Sequence, residues 1–129
     1  MPVITESTPV AFSDPLPDAA DVVVIGAGVI GIATAYFLAG RGARVLVCEK
    51  GRVAGEQSSR NWGWVRQQGR DAAELPIMME ANRIWRDLAA ETGESDLEFN
   101  ASGCLYLTES ESQMATYADW HTQIGRAHV

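Results

Sequence analysis

At 129 residues the chain has the length of one ordinary domain, and a composition of 47% hydrophobic and 21% charged residues is that of a globular protein. The formal net charge of −7 argues against nucleic acid or an anionic membrane as partner, because both are held chiefly through basic clusters. No apolar run approaches the roughly twenty residues that span a bilayer, and the N-terminus lacks the basic region and long apolar core of a secretory signal, so a cytoplasmic location with no transmembrane segment is expected.

Residues 1–20 scatter Pro2, Pro9, Pro15 and Pro17 among Ser, Thr and Asp without sustained periodicity, which predicts a disordered, extended leader. An organellar transit peptide would be richer in Arg and poorer in acids.

From Asp21 the pattern sharpens. A buried strand (Val22, Val23, Val24, Ile25) runs into the turn Gly26-Ala27-Gly28-Val29-Ile30-Gly31. A helix follows from Val29 to about Gly40, and a second strand from Arg44 to Cys48 closes on Glu49. This is the order of a dinucleotide-binding βαβ unit. Gly26 lets the chain leave the strand in a tight turn, Gly28 leaves room for backbone to approach a pyrophosphate, and Gly31 allows close packing of helix on strands. The pyrophosphate then lies at the helix N-terminus, where unpaired N–H groups and the positive end of the helix dipole favour an anion. Glu49 can accept hydrogen bonds from ribose hydroxyls and would repel a 2′-phosphate, which points to FAD or NAD and away from NADP. The competing reading is a strand-turn-helix whose glycines serve packing alone. Against it stand the unbroken Val/Ile strand, the helix residues Ala33, Ala35, Tyr36, Leu38 and Ala39, and an acid at the expected distance.

The run from Lys50 to Gly63 is too polar for a strand or a buried helix and reads as a long loop around something polar. Lys50, Arg52, Ser58, Ser59 and Asn61 offer ammonium, guanidinium, hydroxyl and amide groups directly after Glu49, which suits contacts to a dinucleotide; a solvated surface loop is the alternative. Trp62 and Trp64 can stack on a planar ring or enter a core. Arg66 can hold a carboxylate or phosphate, or form a salt bridge. Cys48 reads as a buried strand thiol, Cys48 and Cys104 have no metal or redox spacing, and His121 and His128 stand isolated, so no metal site is expected.

From Asp71 to Glu91 the pattern is helical. Asp71 caps, Glu74 completes a capping box, and Pro76 is tolerated near the first turn. Ile77, Ala81, Ile84, Trp85, Leu88 and Ala89 share a face, Met78 and Met79 fill core gaps, and Thr92-Gly93 stops the helix. Leu97 to Ala101 and Cys104 to Leu107 read as two short strands or one bent strand. Ser110 to about Gln123 is a further helix capped by Ser110 or Thr108, with Met114, Tyr117, Ala118 and Trp120 partly apolar. These elements leave the βαβ rhythm and suit the beginning of an α+β substrate domain.

Gly26, Gly28, Gly31 and Ala35, then Glu49, Gly55, Ser58, Ser59, Asn61 and Gly63, resemble the N-terminal FAD signature of the D-amino-acid oxidase family. The more specific run from Arg60 to Asp71 resembles a bacterial branch of amine and D-amino-acid dehydrogenases that includes opine- and hydroxyproline-oxidising flavoproteins. The resemblance covers Asp21 to about His121. It implies a Rossmann-like α/β fold and an FAD-dependent oxidation of the CH–NH bond of an amino acid or secondary amine, with hydride transfer to flavin N5. Oxygen or a quinone or other electron-transfer partner would take the electrons. By position it assigns the pyrophosphate to Gly26, Gly28 and Gly31, the adenosine ribose to Glu49, and the edge of the pyrophosphate and isoalloxazine to Ser58, Ser59, Asn61 and Gly63. Some relatives attach flavin through a histidine in this loop. No His or Cys lies between Lys50 and Arg70, so non-covalent FAD is expected. Catalytic residues stay unassigned, because the family's substrate-binding arginines and tyrosines come mostly later in a longer chain.

The resulting division is 1–20 leader, 21–70 FAD-binding βαβ unit with its cofactor loop, and 71–123 helix and strands leading into the substrate domain. An NAD-dependent dehydrogenase or a non-enzymatic nucleotide-binding module are the alternatives. Only one βαβ is visible where a doubly wound fold needs two βαβαβ halves, so a fragment is expected. Residues 124–129, Ile-Gly-Arg-Ala-His-Val, equal the translation of ATC GGA AGA GCA CAC GTC, a common short-read sequencing adapter, and are expected to be an artefact of sequencing.

Overall fold

A computed structural model describes residues 4–92 and 97–124, without the side chains of 123 and 124. The adapter-like tail therefore lies outside the described residues except for the backbone of Ile124. The chain forms two compact units, Met1–Gly63 and Trp64–Val129.

The first unit is built on strand β1 (Val22–Ile25), helix α1 (Val29–Ala39) and strand β2 (Val45–Cys48). The strands pair in parallel, with Val22 opposite Val45 and Ile25 opposite Cys48. β-Branched residues with no proline suit this pairing, and the parallel direction follows from the helical crossover between the strands. Asp21 sets the register at the foot of the sheet. Its carboxylate accepts the Arg44 backbone N–H at 2.8 Å and the Arg44 guanidinium at 2.7 and 3.1 Å, while its own N–H donates to the Arg44 carbonyl at 2.9 Å. α1 ends in a turn in which Gly42 N–H donates to the Ala39 carbonyl and Ala43 N–H to that of Leu38, returning the chain to β2.

The strand expected to be buried is buried on one side only. Val22 and Val24 are half-buried, but Val23 is 55% and Ile25 88% exposed, because α1 covers one face of a two-stranded sheet. α1 is apolar around its circumference, and Ile30 stands 79% exposed. Cys48 is likewise half-buried, not enclosed.

In the second unit, helix α2 (Leu75–Thr92) begins later than expected, and Asp71 closes a turn ahead of it instead of capping it in a box with Glu74: Asp71 Oδ1 accepts the Ala73 N–H at 2.8 Å, its carbonyl accepts the Glu74 N–H, and the Glu74 carboxylate pairs with Arg70. Pro76 falls in the first turn, where a missing N–H costs no intrahelical bond. Leu75 and Ala89 are buried and Trp85 stacks on Phe99 at 6.3 Å. Ile77, expected on this face, is 70% exposed, and Met79 also lies outward; the half-buried Met78 follows Leu75 at three-residue spacing instead. Helix α3 (Glu111–Ile124) is capped by Ser110, whose Oγ accepts the Gln113 N–H, and Thr108 Oγ1 in turn accepts the Ser110 N–H.

The strands expected at Leu97–Ala101 and Cys104–Leu107 do not form. Residues 99–107 carry no strand pairing, and Leu105 and Leu107 are 83% and 80% exposed. Alternation is present, with Cys104 and Tyr106 half-buried, but a strand needs a ladder partner and the described residues supply none here.

Candidate functional site

The end of β1 and the start of α1 enclose the glycine turn. Gly26 has φ +100°, a conformation that a Cβ disfavours, and its N–H donates to the Cys48 carbonyl at 2.7 Å, carrying the sheet pairing one residue beyond β1. A Cβ on Gly31 would lie 1.9 Å from the Gly26 carbonyl oxygen, so the first turn of α1 rests on the backbone of the turn itself. Ala27 is 1% exposed, and its peptide groups are held from two directions. Glu49 Oε2 accepts its N–H at 2.8 Å, and its carbonyl accepts the Ala54 N–H at 2.9 Å.

Gly28 is the N-cap of α1 and has no side chain with which to cap it. Ser58 does this across space: its Oγ accepts the Val29 N–H at 2.8 Å and stands 3.1 Å from where a Gly28 Cβ would be. The hydroxyl keeps a proton to donate. The amides of Ile30 and Gly31 come next in the first turn, where no helix carbonyl stands four residues behind, and the dipole adds positive potential. An anion fits this terminus, because residue 28 leaves the space and Ser58 adds a donor beside it.

Glu49 is drawn toward the turn. Besides Ala27, its Oε1 accepts the Gly51 N–H at 2.8 Å. The Ala27 bond first and the Gly51 bond second hold its carboxyl below the usual range. Each oxygen retains a lone pair, so hydroxyl donors such as those of a ribose fit the same group.

The remaining loop residues mostly serve the loop. Asn61 Nδ2 donates to the Ser58 carbonyl at 2.9 Å and its Oδ1 accepts the Gly63 N–H at 2.6 Å, fixing the exit of the 3₁₀ turn Gln57–Ser59. Ser59 Oγ donates to the Glu56 carbonyl, and Arg60 pairs with Glu56 at 2.9 Å. Lys50 is exposed. Arg52, singled out as a dinucleotide contact, directs its guanidinium to the Thr8 and Glu6 carbonyls.

The structure thus brings Gly26–Gly31, Glu49 and Ser58 together, with the Lys50 backbone N–H and charge also acting on Glu49, while the Arg52 guanidinium is directed to the Thr8 and Glu6 carbonyls. Sequence reasoning missed Ala54, whose left-handed backbone (φ 56°) aims its N–H at Ala27; its only local signal is Gly55, where a Cβ would stand 2.9 Å from the Arg52 carbonyl. It also missed the Asp21–Arg44 pair.

Within the second unit, Trp64 is 47% exposed and lies under the Arg66 guanidinium, 5.1 Å from ring centroid to Cζ. Arg66 donates to the Gln68 carbonyl and to Tyr106 Oη, not to a carboxylate. Trp62, at the end of the first unit, is 90% exposed, so neither tryptophan is core. His121 lines a cleft of about 270 Å³ with Tyr106, Tyr117 and Trp120. No helix among the described residues is long and apolar enough to cross a membrane.

The family profile described as FAD dependent oxidoreductase matches residues 21–128. The β subunit of sarcosine oxidase from Rhodobacter capsulatus is 32% identical over 99 residues, covering 75% of this chain and 24% of its own length. Monomeric sarcosine oxidase from Streptomyces avermitilis is 37% identical over 76 residues, 57% of this chain and 20% of that protein. N-methyl-L-tryptophan oxidase from Yersinia pestis is 30% identical over 96 residues, 71% and 25% respectively. Among solved structures, L-amino acid deaminase from Proteus vulgaris superposes with a TM-score of 0.71 at 30% identity, over 87% of this chain and 26% of that one. The chain spans a fifth to a quarter of the length of these curated relatives.

Proposed function

The chain belongs to the FAD-dependent oxidoreductase family, and from that premise we propose that the protein oxidises the CH–NH bond of an amino acid or N-methyl amino acid. The observation that carries the FAD-binding part of this reading is the convergence of the Glu49 carboxylate and the Ser58 hydroxyl on the glycine turn, each at 2.8 Å from a backbone nitrogen; the substrate class rests on the named relatives. In this reading Gly26, Ala27, Gly28, Val29, Ile30 and Gly31 receive the pyrophosphate, with Ser58 donating its remaining proton to it. Glu49 receives the adenosine ribose, and Ser59, Asn61, Gly63 and Lys50 shape or flank the cofactor loop.

FAD, held by the glycine turn, Glu49 and Ser58, would supply the two-electron acceptor for a hydride from the substrate. The chain's own contribution is placement: a rigid turn, a helix terminus aimed at an anion and a carboxylate for hydroxyl groups. Residues 71–123 form the beginning of the substrate domain, and no general base is assigned. Sarcosine oxidases and N-methyl-L-tryptophan oxidase are named for N-methyl amino acids and the deaminase for L-amino acids, so these classes come first as substrates. The NAD-dependent alternative lacks support from the family match.

The full-length protein should carry a yellow flavin spectrum that bleaches anaerobically with sarcosine, other N-methyl amino acids, or L- or D-amino acids, whereas residues 1–129 alone should be inactive. A colourless protein that binds NAD instead defeats the proposal. Acid precipitation should leave the flavin in the supernatant, since the loop from Lys50 to Arg70 has no His or Cys to hold it covalently.

A further inference from the structure

The segment ahead of β1 is tied to the nucleotide turn through one side chain. Thr5 to Thr8 form a turn closed twice: Thr5 N–H donates to Thr8 Oγ1 at 3.0 Å, and Thr8 N–H donates to the Thr5 carbonyl at 3.0 Å. The hydroxyls of Thr5 and Ser7 share a further bond at 2.7 Å. This turn presents two carbonyls to Arg52, which lies 44 and 46 residues away in sequence. Arg52 Nε donates to the Thr8 carbonyl, Nη2 to that of Glu6 at 3.2 Å, and Nη1 to that of Gly51 at 3.2 Å. All three of these contacts go to neutral carbonyls, and Arg52 forms no ion pair among the described residues.

The backbone of Arg52 is anchored on the opposite side. Its carbonyl accepts the Gly55 N–H at 2.8 Å, the neighbouring Ala54 N–H donates to the Ala27 carbonyl at 2.9 Å, and the preceding Gly51 N–H donates to Glu49. Residues 49–55 are thus held between the Thr5–Thr8 turn and the Ala27 peptide, with Arg52 joining the two. A planar guanidinium offers its donors from separate nitrogens at fixed angles, whereas an ammonium offers all of its donors from one freely rotating nitrogen.

We propose that Arg52 is a positioning residue which clasps the Thr5–Thr8 turn, making the N-terminal segment a structural part of the nucleotide site. Arg52 thereby acts on FAD through the loop and not by touching a phosphate. This inference rests on the FAD-binding reading above for its effect on affinity, but not for the clasp itself.

Two measurements on the full-length protein separate these parts. Without FAD, limited proteolysis between Thr5 and Val10 should be about tenfold faster in Arg52→Ala and in Arg52→Lys than in wild type; equal rates overturn the clasp, whether or not FAD binds. By flavin fluorescence, Arg52→Lys, and separately a chain begun at Val10, should each weaken FAD binding about threefold to tenfold, and the two together no more than the larger single effect. Losses that multiply would mean that Arg52 acts on the cofactor directly, and unchanged affinity in the shortened chain would mean that the segment contributes nothing; either result overturns the proposal. Arg52→Lys keeps the charge and the stem, so its loss cannot be ascribed to missing charge. A wild-type protein that binds no FAD defeats the functional reading and leaves the proteolysis result standing.

Discussion

Glu49 Oε2 accepts the Ala27 N–H at 2.8 Å across 22 residues of sequence, while Oε1 accepts the N–H of Gly51. One carboxylate therefore joins the glycine turn to the loop that follows β2. Both oxygens are acceptors, and that sets what a replacement must do.

Glutamine at this position can accept through one atom only; its NH₂ would face the other N–H. Glu49→Gln should weaken FAD binding about tenfold, measured by flavin fluorescence at neutral pH. The folded carboxyl is held below its ordinary value of 4.5. Its contribution is then fully present above the unfolded value and lost as pH falls through the folded one. The difference in Tm between wild type and Glu49→Gln should be greatest near neutrality and close on acidification below about pH 4; a gap that widens in acid contradicts the bonding seen here.

Gly26 and Gly31 should fail differently. An alanine at 26 meets no atom within 4 Å and carries only the strain of φ +100°, about 1–2 kcal/mol. At 31 the new Cβ would stand 1.9 Å from the Gly26 carbonyl oxygen, so helix and turn must separate, at about 3 kcal/mol or more. Urea denaturation should rank Gly31→Ala as the more damaging, and the opposite order would refute the close approach.

Ser58→Ala removes the hydroxyl that caps Val29 and should destabilise the FAD-free protein by about 1 kcal/mol in chemical denaturation. Because that hydroxyl still has a proton to give, FAD affinity should also fall, about fivefold. Tighter FAD binding in the variant would show that the cofactor has to displace Ser58 from the amide.

Asp21 and Arg44 form an exposed forked pair that lowers the Asp21 carboxyl pKa, chiefly through the Arg44 side chain. Asp21→Asn should lower Tm at neutral pH, and by less in 1 M salt than in dilute buffer, because exposed charges are screened. The sign is that of a depressed acid: the difference is present above the ordinary carboxylate value and disappears as pH falls through the lowered one. A salt-independent loss would assign the effect to backbone geometry alone.

Much of the site was legible from residue order because its parts are local. Gly26, Gly28 and Gly31 belong to one turn, and a strand-turn-helix can be read from a Val/Ile run, a glycine spacing and a helical stretch. Glu49 was found by its distance along the chain, although its bonds to the Ala27 and Gly51 amides were not. Less was legible in the second unit. Alternation from Cys104 to Leu107 looked like a strand, yet alternation describes only which way side chains point; pairing depends on a partner elsewhere.

The sequence by itself determined the βαβ order, the helix terminus open to an anion and the acid that closes the unit, since these follow from adjacent residues and short spacings; the flavin-dependent family was legible only as a resemblance. Tertiary structure decided which polar groups of the loop meet the turn. Ser58 reaches Val29 over 29 residues, Ala54 reaches Ala27, and Arg52 turns away to the Thr8 and Glu6 carbonyls. A loop's composition states which donors it owns, but the direction of each is set by backbone dihedrals and by acceptors that only the folded chain brings within hydrogen-bond reach.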